Sequence, residues 1–391
     1  MNLSDMLGYA DIGQLTRIAN AYSCECSSNS KNELIQAILT TMGRNDVFER
    51  QVHDMKLEDL RFLNSLLFDT RESYSLEDLV ARVQQSRFGL EQKTDADAAT
   101  GTASKTKSRK SKRKVDAKQE PPSPREMILR FKHQGWLFNG FTGPGKYLFQ
   151  VPNDLKGRFQ EVMKRRLASQ LHYMEEPPLY RDEQHLLGSD VKSLLHYACQ
   201  NHVQLSADGS MYKRHIQALL DRLSVQETLP LKGAWRFGYG RHFNHYPNRL
   251  SFLYDYCYYS GYLRENHETL EVTAEGLERI SASPVLEEER MYQYWLKLYK
   301  GPIPNLLSLV HWIHALATEW VTFLSIKEAL EPFIKPYYYD NASSILEVRV
   351  LTMMMHLGLL RIGEHPQHGT VIRMTRWGDA VVSSGVVSAQ R

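Results

Sequence analysis

A helix-dominated α+β fold, built from one unit used three times, is predicted by three observations. The phrase Gly135-Trp136-Leu137 returns as Gly261-Tyr262-Leu263 and as Gly358-Leu359-Leu360. Each copy follows a segment with mostly helical apolar spacing and precedes a short hairpin-like stretch. The second and third hairpins end alike, at Val272-Thr273-Ala274-Glu275-Gly276 and Met374-Thr375-Arg376-Trp377-Gly378, whereas the first ends at Val151-Pro152.

A glycine that closes a helix, then a strand, a tight wing and a returning strand, is the second half of a winged helix. A serine precedes each phrase at an expected strand-to-helix junction: Ser75, Ser206 and Ser325. With a 34-residue insertion and a 23-residue loop set aside, the serine-to-glycine spacings are 26, 32 and 33 residues. The third unit is then expected as helix 306–320, strand 321–323, helices 326–333 and 343–357, strand 359–362, wing 363–369 and strand 371–374. The second is expected as helix 190–202, strand 203–205, helices 211–223 and 247–260, and strands 262–264 and 270–273. The first uses helices 57–69, 76–83 and 124–134 and strands 136–138 and 147–151. Its insertion, residues 89–122, is Thr/Ala/Ser/Lys-rich and nearly free of large apolar residues, so disorder is expected there.

Ahead of these units, residues 11–22 and 31–42 each place apolar side chains on one helical face, with Ser30 as N-cap and Glu33 three residues on. The domain reading is therefore a helical hairpin over 1–44 and winged helices over 45–188, 189–285 and 286–391.

Four cysteines in 391 residues make no disulfide framework, which fits a reduced cytosol. Residues 1–10 lack the basic start and apolar run of a cleavable signal. The most apolar long stretch, 306–324, contains His311, His314, Thr318 and Glu319 and reads as a buried helix, not a membrane span. The net charge of +3 is uneven. Residues 105–118 hold eight Lys or Arg against one Asp, a net +7, so the remainder carries −4.

Two stretches mimic a nucleotide motor. Gly140 to Gly145-Lys146 has the spacing of a phosphate loop, but Tyr147 stands where a Ser or Thr should hold magnesium, and the stretch joins two expected strands. Asp182-Glu183-Gln184-His185 spells a helicase-like box, but Pro177-Pro178 precedes it in place of an apolar strand. Cys24 and Cys26 lack a second ligand pair, and His311/His314 and His365/His368 read as packed or solvated histidines. No spacing specifies a nucleophilic site, so neither an enzyme nor a cofactor or metal is expected.

The nucleic-acid candidates fall in four places. The basic run offers Lys105, Lys107, Arg109, Lys110, Lys112, Arg113 and Lys114 to phosphates, or serves as a solvating linker. The loop 233–246 alternates rings with Gly and Arg, including Trp235, Arg236 and Arg241, and either stacks on bases or folds back on the core. The third helices should face a major groove. The first copy offers Arg125, Arg130 and Lys132 there, with Lys146 in its wing. The second and third offer only Arg249 beside Asp255 and Arg349 beside Glu347, with Arg373 and Arg376 near the end of the third wing. Met353, Met354 and Met355 read as core filler.

The first forty residues resemble the helix-extended-loop-helix modules of the SAP and Rho-N-terminal type. That resemblance implies a nucleic-acid contact at Lys31 and Asn32. The stretches 189–195 and 203–214, Ser-Asp-Val-Lys-Ser-Leu-Leu and Val-Gln-Leu-Ser-Ala-Asp-Gly-Ser-Met-Tyr-Lys-Arg, resemble bacterial proteins with the winged-helix region found N-terminal to XPB-type DNA helicases. In that family a helicase motor follows the region, and no motor motif stands in this sequence. The expectation is a cytoplasmic or nucleoid-associated, non-enzymatic DNA-binding or DNA-associated adaptor without membrane contact. A protein–protein docking module, or a regulatory subunit of a separately encoded helicase, is the alternative.

Overall fold

A computed structural model describes residues 1–25, 30–69, 71–89, 122–141, 143–230, 240–242, 244–282 and 284–388. The fold is α+β and helix-dominated, with short antiparallel sheets. It forms two compact units, Met1–Arg165 and Arg166–Arg391. The expected disorder over 89–122 falls almost entirely outside the described residues.

The first unit opens with α1 (Leu3–Tyr9), α2 (Ile12–Ala21) and α3 (Lys31–Gly43). Asp11 caps α2 by accepting the Gln14 N–H at 2.7 Å, and Ser30 caps α3 by accepting the Glu33 N–H at 3.3 Å. Helix α1, seven residues long, is too short to show a period and was not expected. After α4 (Asn45–His53) come α5 (Leu57–Leu67), α6 (Leu76–Ser86) and α7 (Pro124–His133). Ser75 and Ser123 close capping boxes with Asp78 and Glu126. Strands β1 (Phe138–Asn139) and β2 (Phe149–Gln150) follow as an antiparallel pair, and Tyr74 bridges to Phe149. Helix α8 (Asn153–Ala168) follows and continues past Arg165. Trp136 ties the parts into one core. It packs edge-on against Phe131 and Phe159, and its indole N–H donates to Tyr22 Oη at 2.8 Å. The hairpin thus shares its core with the first repeat.

In the second unit, β3 (Leu179–Arg181) precedes α9 (Leu186–Gln200), β4 (Val203–Gln204), α10 (Lys213–Leu220), α11 (Asn248–Tyr259), β5 (Leu263–Asn266) and β6 (Thr269–Val272). Next come α12 (Ala274–Ser281), α13 (Pro284–Tyr299), α14 (Leu306–Leu316), β7 (Val321–Thr322) and α15 (Phe323–Leu330). The following helix is α16 (Ala342–Ser344), continued through a π segment, Ile345–Leu351, into α17 (Thr352–His356). Strands β8 (Leu360–His365) and β9 (Gly369–Met374) and helix α18 (Arg376–Ser388) complete it. The sheets run β4-β6-β5 and β3-β8-β9-β7. Met353, Met354 and Met355 are buried, as expected of core filler.

Three stretches share one order: helix, short strand, two helices and a hairpin. In each, the short strand or bridge pairs with the returning hairpin strand: Tyr74 with Phe149, Val203 with Leu270 and Val321 with Ile372. The phrase glycines all adopt left-handed φ, +68°, +76° and +70° for Gly135, Gly261 and Gly358. Each donates its N–H three residues back, and the next residue donates five back: Trp136 to Phe131, Tyr262 to Cys257, Leu359 to Met354. This is one helix-ending motif made three times, and only glycine takes its φ cheaply.

The hairpin endings agree in the second and third repeats for a local reason. Thr273 Oγ1 donates to the Gly261 carbonyl and accepts the Gly276 N–H; Thr375 Oγ1 does the same with Gly358 and Gly378. A Cβ on Gly276 or Gly378 would meet the Tyr262 or Leu359 carbonyl oxygen at 2.3 or 2.0 Å. Thr375→Val should therefore lower stability by about 1–3 kcal/mol, and Gly378→Ala by a similar amount, read as a drop in thermal midpoint. An unchanged midpoint for Gly378→Ala would mean the junction is not close-packed.

The serines do not share one position. Ser75 is an N-cap, Ser325 lies in the first turn of α15 behind its cap Thr322, and Ser206 sits in a turn with Ser210 ahead of α10.

Candidate nucleic-acid interface

The third helices divide the repeats. Helix α11 is buried on every side from Arg249 to Cys257, so it has no face to lay in a groove. Arg249 and Asp255, expected on its outer face, are 0 % and 1 % exposed. In the third repeat Arg349 pairs with Asp340 at 3.1 Å, while Glu347 remains exposed. Arg373 pairs with Glu319 at 3.4 Å, and Arg376 is exposed in the first turn of α18.

Arg249 anchors a buried ionic cluster. It binds Asp190 and stands 3.5 Å from Glu183, whose carboxylate also meets His356 Nδ1 at 2.8 Å and Arg181. Burial works against the Glu183 charge, but the His356 bond and the nearby cations hold its carboxyl below the ordinary range. The helicase-like quartet is thus a joint of the fold. Asp182 pairs with Arg361 at 2.7 Å, and His185, at φ +66°, meets Glu288 at 2.8 Å.

Of the loop 233–246, Trp235 and Arg236 lie outside the described residues. The described part turns inward. Tyr246 is buried, with Oη accepting the Met211 N–H at 2.8 Å, and His242 is buried against Tyr246 and Tyr254. Arg241 pairs with Glu265 at 2.5 Å and lies over the Tyr258 ring. The nearby cleft of about 360 Å³ is lined by Asp208, Arg241, His242, Asn244 and His245. Its basic side chains already face carboxylates: Arg241 meets Glu265, and His245 meets Asp208 at 2.9 Å.

The first unit differs. On α7, Arg125 is exposed, Arg130 pairs with Asp59, and Lys132 donates to Asn139 Oδ1 at 2.7 Å. Asn139 in turn donates to the Lys146 carbonyl at 3.4 Å, and Lys146 itself is exposed. Burial lowers the pKa of Lys132, with Asp11 opposing and Arg17 assisting, so the cap of α2 and its Arg17 share these surroundings. On α3, Asn32 is exposed and Lys31 donates to the Gly8 carbonyl at 2.8 Å. The next residue, Tyr9, stacks on Phe141 of the β1–β2 loop with ring centroids 4.6 Å apart. The helical hairpin and the β1–β2 loop thus meet at Tyr9 and Phe141, with Lys31 bonded to the residue before Tyr9 and Lys146 in the same loop as Phe141. Sequence reasoning passed over Arg17, Tyr9, Phe141 and Tyr147 here. The available signal was a hairpin loop that sets two rings around glycines and a lysine.

The phosphate-loop mimic lies in that loop. It joins β1 to the antiparallel β2 through a 3₁₀ turn, Gly143–Tyr147, and opens no α-helix whose amides could cradle phosphate. The basic run from Lys105 to Lys114, with Lys107, Arg109, Lys110, Lys112 and Arg113, lies outside the described residues. Among the described residues no cluster of three His, Cys, Asp or Glu is placed to hold a metal ion. His311 is half-buried, and its desolvation, with His314 nearby, lowers its pKa to about 4; His314 meets Asp379 at 2.7 Å. Among the described residues no helix is long and apolar enough to cross a membrane. Comparison with protein-family models, curated proteins and solved structures gave no match to this chain.

Proposed function

We propose that the chain is a non-enzymatic, DNA-associated adaptor of three winged helices and a SAP-like hairpin, and that it meets DNA through its first unit. The observation that carries this reading is the joint surface of hairpin and wing. There Lys146 and Arg17 are exposed and make no ion pair among the described residues, and Lys31 and Lys132 bond only neutral oxygens. Such cations bind phosphate by releasing counterions and read no sequence. The eight-cation segment of 105–118 adds to the same charge.

The second unit supports a different role. Its third helices are buried or paired with carboxylates, which favours docking to a protein, such as a separately encoded helicase.

Fluorescence anisotropy with duplex and single-stranded oligonucleotides tests the DNA reading. Affinity should fall about 100-fold between about 50 and 200 mM salt if about four phosphates are neutralised. Lys31→Ala with Lys146→Ala should flatten the salt slope by about two phosphates. Absence of binding at the lower salt would remove the DNA role. Stimulation of a partner ATPase by the separate chain would support the docking role.

A further inference from the structure

We propose that Tyr9, Phe141 and Tyr147 form a stacking platform for unpaired bases, so that the first unit prefers single-stranded DNA to duplex. This inference rests on the DNA-associated reading and names the form of DNA it takes.

The rings are placed by a braced loop. Tyr9 and Phe141 stack at 26° between planes, yet Tyr9 is 65 % exposed, and Tyr147 of the same loop is 79 % exposed. The loop is closed by the Gly140 N–H to the Leu148 carbonyl and the Leu148 N–H to the Gly145 carbonyl, both 2.9 Å. Gly140 has no room for a side chain, because the Gly145 oxygen would lie 2.3 Å from its Cβ, and Gly143 holds φ +51°. From below, Asn139 links the Lys132 ammonium to the Lys146 carbonyl. A loop closed at its neck narrows where its rings can go, which lowers the entropy cost of stacking.

Charge selects the occupant. Lys31 reaches the carbonyl next to Tyr9, Lys146 precedes Tyr147 in the loop, and Lys132 is tied to Asn139 below it; the exposed carboxylates Asp5, Asp11 and Glu33 stand on the helical hairpin, and the loop 139–148 carries none. Rings flanked by cations suit a ligand with alternating aromatic faces and anions. A nucleic-acid strand has that pattern. In a duplex the base faces are already covered by their neighbours, so only an unpaired strand can offer them.

The test compares three probes: an oligo(dT) of about 16 nucleotides, an abasic phosphodiester strand of the same length, and a blunt duplex. The wild-type chain should bind oligo(dT) at least about tenfold more tightly than the abasic strand and should quench a 2-aminopurine placed within it. Tyr147→Ala and Tyr9→Ala should each remove about tenfold from oligo(dT) binding, leave abasic binding unchanged and lose the quenching. Tyr147→Trp should keep both. Tyr147 lies too far into solvent for its removal to unfold the unit, so that variant remains informative if Tyr9→Ala is unstable. Equal wild-type affinity for oligo(dT) and the abasic strand would overturn the platform while leaving phosphate binding in place. Failure to bind any of the three probes would overturn the DNA reading and the platform with it.

Discussion

Replacing Arg249 with methionine is expected to destabilise the second unit by about 3–5 kcal/mol. The guanidinium is fully buried and compensates two carboxylates, Asp190 at 0 % and Glu183 at 1 % exposure. Methionine would fill the volume but leave the negative charges in a low-dielectric interior. Asp190 would retain the Ser224 N–H and Oγ–H, at 2.9 and 2.8 Å, and Glu183 would retain His356. Those bonds stabilise the anions only in part. The remedy identifies the cause: adding Asp190→Asn should recover a large part of the loss, and a double-mutant cycle in denaturant measures the coupling. If both variants unfold at the wild-type midpoint, the cluster is not holding the fold.

The second large effect is pH-dependent. Burial pushes the Asp255 carboxyl up to about 6 from an ordinary 3.8, with Glu265 raising it and the Arg241 N–H and charge opposing. A raised folded-state pKa means the native chain binds this proton more tightly than the unfolded chain. The contribution is fully present below about pH 4 and is lost as pH rises through about 6. Asp255→Asn keeps an acceptor for the Arg241 N–H, 3.0 Å from the carboxylate, and removes the buried charge. It should match wild type near pH 4 and exceed its stability by up to about 3 kcal/mol above pH 6. Urea denaturation across that window checks the prediction. A difference that does not change with pH would remove the buried-charge explanation.

Recurrence was the part of the fold most legible in the residues. Gly135, Gly261 and Gly358 recur because one helix-ending geometry needs left-handed φ. Thr273 with Gly276 and Thr375 with Gly378 recur because one hydroxyl joins a strand to the next helix. These are short-range constraints, and short-range constraints leave fixed spacings. The helix cap at Ser30 was legible for the same reason.

The candidate site was legible only in pieces. Lys31, Asn32, Lys132 and Lys146 were marked one by one, but Tyr9 and Phe141 are 132 residues apart in the chain, and no local spacing joins them. Arg249 shows the same limit from the other side. A charged residue on a helix reads as exposed until the packing around α11 is known, since helical period marks which residues share a face but not how many faces are covered.

The sequence by itself therefore determined the helix ends, the glycines and threonines that repeat, and the concentration of positive charge in 105–118. The tertiary structure alone decided which cations stay exposed and which are neutralised: Arg249, Arg349, Arg373 and Arg241 meet carboxylates brought from elsewhere in the chain, while Lys146 and Arg125 meet none among the described residues. The reason is physical. A side chain's torsional preference and cap chemistry act over a few residues, whereas the field a charge feels is set by whatever long-range packing places beside it.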